Sequence, residues 1–369
     1  MTNIAARYRL TEPQAAAAIA VAGLRPSGVV LGRPEPVGDP VAALAGTDYV
    51  DAAGALLPAL GAALQILSHP DRVMAAMASV VGSNEWRRLQ VPANDNGYVV
   101  RARDEAGLDL MFGSTSTAVA TVLDDFFDLT TFPSPSAETE VALGAAGWWG
   151  LLAAADIRRT DLLRADLERS KARPTVVTEA GIAGALADGA AATDTRWLVT
   201  ALTPLSPVPA SGVDGAAALT DLVTAGLAGG DGALTETGAD VADGLLQTAV
   251  FGAVTQAMVM DEEKVRVGEM TLFRGPTRLL VGLWADLGSD PRVTLVEPAP
   301  ETALAMLRDI AELGARLDEQ APEPADEPAP PEAPPDAAPA PEEDHFPPPP
   351  TTGTFEPEDP GRFPPPPTP

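Results

Sequence analysis

Leu245-Leu246-Gln247-Thr248-Ala249-Val250-Phe251-Gly252-Ala253-Val254 opens the stretch, residues 241–313, on which the reading of this chain turns. The run is apolar and reads as helical, with the helix extending over 241–258. Strand-like segments follow near 265–273, 278–284 and 292–296. Glu301-Thr302-Ala303-Leu304-Ala305-Met306-Leu307-Arg308-Asp309-Ile310 closes the stretch as a second helix. A helix, a small sheet and a helix can bury one shared apolar layer. The same order of signals occurs between residues 55 and 129.

In that earlier copy, Leu56, Leu57, Leu60, Leu64 and Leu67 recur at helical spacing over 52–67. Pro70 ends the helix, because it disfavours a helical conformation at the residue before it. Strands are expected over 73–81, 86–91, 98–103 and 108–112, with Asn94-Asp95-Asn96-Gly97 as a turn between two of them. This spacing favours an antiparallel meander. Ser114-Thr115-Ser116 offers caps for a helix over 117–129.

Working outward, residues 7–32 read as strand, helix and strand. Thr11 is placed to cap, Pro13 lies in the first turn, and the last strand is Val29-Val30-Leu31. Residues 33–51 are rich in Pro, Gly and Asp and read as a loop. Between the two copies, 138–155 and 161–169 read as helices of a connector. The second copy restarts at Thr175-Val176-Val177-Thr178-Glu179, followed by a helix to about residue 188, a strand over 196–202, a Pro/Gly loop over 204–215 and a helix over 221–227. The expected fold is α+β, with two similar halves related by a quasi-two-fold duplication. Each half is an antiparallel sheet flanked by helices. The halves span 1–132 and 174–319, joined by a helical connector over 133–173 and followed by a disordered Pro-rich acidic tail over 320–369.

Composition limits the function. Hydrophobic residues make up 46% of 369, enough for a large core, but aromatics are only 5%, so Leu, Val and Ala must fill it. The formal charge of −28 leaves no basic surface to displace phosphate counterions, which argues against nucleic acid and against an anionic membrane face. No run is long and apolar enough to insert in a membrane, and the first residues do not read as a signal peptide, so the cytoplasm is the expected location. With no Cys, disulfides and thiolate metal sites are excluded.

No catalytic set assembles from the sequence. His69, before Pro70-Asp71, has no nucleophile elbow to serve and reads as structural or surface. Asp124, Asp125 and Asp128 read as a solvated helix face, and Glu262-Glu263 as charge that discourages strand-edge aggregation. Gly226-Leu227-Ala228-Gly229-Gly230-Asp231-Gly232 lacks the Lys-Ser or Lys-Thr of a phosphate loop and reads as a flexible loop. Trp148-Trp149 reads as core. The expectation is a non-enzyme with no cofactor and no metal.

The tail holds 20 of the 38 prolines and a single Arg. It carries too few apolar groups to offset the entropy of ordering. Within it, His345-Phe346-Pro347-Pro348-Pro349-Pro350-Thr351 recurs as Arg362-Phe363-Pro364-Pro365-Pro366-Pro367-Thr368. Preformed polyproline II segments lose little entropy on docking to an aromatic groove, and two copies give avidity. Phe346, Pro347, Pro350, Phe363, Pro364 and Pro367 are therefore the candidate contacts to a polyproline-binding partner.

Three stretches resemble the EspG family of type VII secretion chaperones: Tyr8-Arg9-Leu10-Thr11-Glu12 entering a helix; Leu64-Gln65-Ile66-Leu67-Ser68-His69-Pro70-Asp71-Arg72-Val73 at a helix-to-strand corner; and Arg292-Val293-Thr294-Leu295-Val296-Glu297-Pro298-Ala299-Pro300-Glu301 leading into Leu304 and Leu307. The likeness follows element order over residues 7–317. It implies a quasi-two-fold α/β fold and a cytosolic chaperone that keeps secreted PE–PPE heterodimers soluble by covering an apolar tip of the PPE partner. A secreted helical protein is then the expected client. The Pro-rich loops at 33–51 and 204–215 and the acidic tail depart from the family pattern.

Overall fold

The chain begins with β1 (Ile4–Leu10), α1 (Glu12–Val21), α2 (Pro40–Leu44) and α3 (Pro58–Ser68). A meander follows: β2 (Arg72–Val80), β3 (Trp86–Asn94), β4 (Gly97–Asp104) and β5 (Gly107–Gly113), then α4 (Ser116–Phe127). Next come β6 (Ala137–Gly144), α5 (Ala145–Leu167), α6 (Glu179–Ala191), α7 (Leu198–Leu202), α8 (Gly215–Thr224) and α9 (Glu236–Leu246). A second meander, β7 (Val250–Met260), β8 (Glu263–Arg274), β9 (Leu279–Ala285) and β10 (Arg292–Glu297), leads into α10 (Pro300–Gln320). These elements come from a computed structural model that describes residues 4–25, 37–83, 85–104, 107–113, 115–131, 134, 136–260, 263–288 and 290–320. They belong to one unit, Met1–Ala321; the second unit, Pro322–Pro369, lies outside the described residues, as does the strand expected at 29–31.

Local chemistry sets the helix starts. Behind α1, α4, α6 and α9 stands a Thr whose hydroxyl accepts a backbone N–H three residues on. The pairs are Thr11 with Gln14, Thr115 with Ala118, Thr178 with Gly181 and Thr235 with Gly238. At α1 the Gln14 side chain also accepts the Thr11 N–H at 2.9 Å, completing a reciprocal capping box.

All ten strands join one antiparallel sheet in the order β1-β5-β4-β3-β2-β7-β8-β9-β10-β6. This corrects the expectation of a sheet in each half. The two meanders meet at their first strands, β2 and β7, in register from Arg72↔Met258 to Val80↔Val250. Inward from either edge the parts come in the same order: an edge strand, then the last to the first strand of a meander.

Strand alternation divides the core between the two faces. One face carries Met74, Val91, Val254, Met270 and Leu272, covered by Leu123 and Phe127 of α4 and by Ala303 and Leu307 of α10. The opposite face carries two separate layers. Val73, Val99 and Leu110 pack under α1–α3, and Phe251, Phe273, Leu280 and Val293 pack under α5–α9 with Trp148 and Trp149.

Three further expectations change. The run read as a helix over 241–258 is a helix only to Leu246 and a strand from Val250. As a central strand largely buried on both faces, β7 has no polar alternation to mark it. Gly252 within it lies where a Cβ would come 2.4 Å from both the Phe127 ring and the Met77 carbonyl oxygen, so the strand needs glycine there. The supposed connector is, from Ala137 to Gly144, the edge strand β6, with Val141 and Leu143 buried and Glu140 and Ala142 turned towards solvent. The strand expected over 196–202 is the short helix α7, held from outside: Asp156 of α5 accepts the N–H groups of Leu198 and Val199 at 2.9 and 3.0 Å.

Candidate functional site

Between the two helix layers of the split face runs a strip of sheet floor. The register places one residue from each of six strands directly opposite the next: Arg101 (β4), Gln90 (β3), Ala75 (β2), Thr255 (β7), Glu269 (β8) and Trp284 (β9). At the usual strand spacing, Arg101 and Glu269 stand about 19 Å apart along this row. Arg101, Gln90, Ala75 and Thr255 are partly exposed, and Arg88 and Arg266 at its margins are exposed. The row is polar, while the cores on either side of it are apolar.

Both ends of the polar part of the row, Arg101 and Glu269, have unmet hydrogen-bonding capacity. Arg101 donates from Nη1 to Gln90 Oε1 at 2.5 Å, but its buried Nε finds no acceptor. Burial lowers the pKa of this guanidinium. At the other end Glu269 is 2% exposed. Its Oε2 accepts from Thr255 Oγ1 at 3.4 Å and from Arg266 Nη1 at 3.3 Å, and its Oε1 has no donor. Desolvation raises the carboxyl from 4.5 to about 7, against the opposing pull of Arg266 and Thr255. Native proteins leave few such groups unpaired. A buried donor and a buried acceptor on one partly exposed row suit a polar partner.

The residues singled out from the sequence do not converge on this strip. His69 is exposed at the end of α3, where its carbonyl accepts from Asn94 Nδ2. Asp124 accepts from the N–H and hydroxyl of Thr130 and so closes the end of α4. Trp148 and Trp149 are fully buried core. The 226–232 loop is tied down: Val177 donates to Gly232 O at 2.8 Å, and Ala228 bridges to Leu234. Glu262 and the six tail residues, Phe346, Pro347, Pro350, Phe363, Pro364 and Pro367, lie outside the described residues. A cavity of about 220 Å³ beside α1 and α2 is lined mainly by Val21, Val41, Leu44 and Val50, and Asp51, its one acid, is turned to the Ala53 and Ala55 N–H groups. Among the described residues, no group of three or more acids or histidines could hold a metal, and no helix is long and apolar enough to cross a membrane.

No family model matches the sequence, and no curated protein matches it. Among solved structures the chain is similar to EspG5, the type VII secretion system chaperone of Mycobacterium tuberculosis, solved in complex with a PE25–PPE41 dimer. The two share 12% identity at a TM-score of 0.49, over 83% of this chain and 96% of that one.

Proposed function

We propose that this chain is a non-enzymatic chaperone or adaptor that seats a secreted helical client, of the PE–PPE kind, on the open strip of its sheet. The observation that carries the reading is the polar row from Arg101 to Glu269, partly exposed from Arg101 to Thr255, with a buried unused donor at one end and a buried unused acceptor at the other. The sequence resemblance at residues 8–12, 64–73 and 292–301 supports the class of client. In this reading the protein works in the cytoplasm, without cofactor or metal, and its two halves descend from one duplicated unit. The matching order of parts from either sheet edge supports that descent.

Co-expression with a type VII PE–PPE pair tests this. The pair is expected to co-purify with the full chain and with a chain truncated after Gln320. It is expected to be lost from Ala75→Trp, which fills the middle of the strip. Retention by a folded Ala75→Trp variant would sink the reading.

The duplicated heptapeptide of the tail favours a second reading, a scaffold that recruits a polyproline-binding partner through Phe346 and Phe363. In that case Phe346→Ala with Phe363→Ala abolishes partner capture, and Ala75→Trp leaves it intact.

A further inference from the structure

We propose that the outer end of α5 is a second docking surface, built for a helical segment whose apolar ridge is flanked by carboxylates. The first half of α5 is core, buried continuously from Gly147 to Asp156. From Thr160 onward only Ala165 is buried. Leu162, Leu163 and Leu167 are 37%, 52% and 85% exposed, and Leu167 is the most exposed large apolar side chain among the described residues. Leu163 and Leu167, four residues apart, share one helix face.

Directly behind them come Arg169, Lys171 and Arg173, all exposed and without an ion-pair partner among the described residues. In a chain of formal charge −28, three free cations within five residues are a local inversion of sign. An acidic partner repelled by most of the molecule is attracted here.

The backbone adds a second observation. Ser170 donates to Ala165 O at 2.8 Å and Arg169 to Asp166 O at 3.0 Å, and Arg169 itself is left-handed, with φ of 53°. This is the helix-ending position where glycine is favoured. An Arg there places a cation at the rim of the leucine patch and accepts backbone strain to do so.

Other occupants fit less well. A second copy meeting this face symmetrically would set cations against cations. An anionic bilayer is a wide, uniformly charged plane that would also meet the acids around the patch in a chain of formal charge −28, whereas a single helix can set its carboxylates against the cations alone. Helix-in-groove recognition with acidic flanks satisfies both the leucines and the cations. The strip on the sheet face is a different surface, so this inference does not depend on the client reading.

The test titrates the full-length chain into a labelled synthetic amphipathic helix with a leucine ridge and flanking glutamates, followed by fluorescence anisotropy. Controls are a scrambled peptide and one with Gln in place of Glu. Micromolar binding is expected for the acidic ridge alone. It should weaken at least about tenfold in Leu163→Glu with Leu167→Glu, and severalfold when salt rises from about 50 to about 300 mM. Arg169→Gly separates docking from a merely structural role: it should raise the unfolding midpoint while weakening the peptide. Equal binding of scrambled and acidic peptides, no binding at all, or leucine variants that bind unchanged would overturn the proposal. So would vesicles containing phosphatidylglycerol, or self-association of the chain, showing the same dependence on Leu163 and Leu167 in place of the peptide.

Discussion

Glu269 holds its proton to about pH 7 in the folded protein because burial penalises the carboxylate. Unfolding returns it to an ordinary value near 4.5. Between those values the folded state binds more protons than the unfolded one, so stability falls as pH rises. The contribution is fully present below about 4.5, lost above about 7, and on the order of 3 kcal/mol. Glu269→Gln should therefore be more stable than the parent at pH 8 and nearly equal to it at pH 4.5, as read by urea unfolding across that range. Gly252→Ala should cost roughly 2–3 kcal/mol, because its new methyl meets a backbone carbonyl that cannot move aside; thermal melting reads this. None of the strip was legible in the sequence. Arg101, Gln90, Thr255 and Glu269 carry no motif, and only the register of six strands brings them into one row. The features that were legible as single residues, such as His69 and the tryptophan pair, proved to be a helix end and core.

Secondary elements were readable where one face meets solvent or a turn has distinctive chemistry. The β2–β5 meander follows from apolar runs broken at Asn94-Asp95-Asn96-Gly97, and the caps of α1 and α4 from their threonines. Elements buried on every side were not readable. β7 looks like a helix because every position but Thr255 and Gln256 is apolar or glycine, and α7 is five buried residues whose start is fixed by a carboxylate some forty positions away. That dependence is testable. Burial raises the pKa of Asp156, and its two accepted N–H bonds partly offset this. Asp156→Ala leaves both N–H groups buried and unmet, so it should destabilise by about 2 kcal/mol. Amide exchange at Leu198 and Val199 should accelerate well before that of the sheet.

At the scale of the molecule, the two meanders share one sheet and are expected to unfold as one cooperative body. Unfolding followed by tryptophan fluorescence, which reports chiefly on the α5 side, and by circular dichroism should give coincident transitions. Separate midpoints would mean that the β2–β7 seam is weaker than the cores on either side of it. A chain ending at residue 132 would leave the Arg72–Val80 edge of β2 open in a nearly complete half-sheet. It is expected to self-associate, by sedimentation, where the full chain does not.

The same seam bears on how the protein is made. Strand β2 leaves the ribosome long before β7, its neighbour in the sheet. At translation speeds of roughly 5–20 residues per second, the roughly 170 residues between Val80 and Val250 take on the order of ten to thirty seconds to synthesise. Throughout that interval the growing polypeptide carries an unpaired hydrogen-bonding edge beside a half-built core. Faster elongation, or a nascent-chain holdase bound near β2, would shorten or shield that window, and yield of native protein should rise with either.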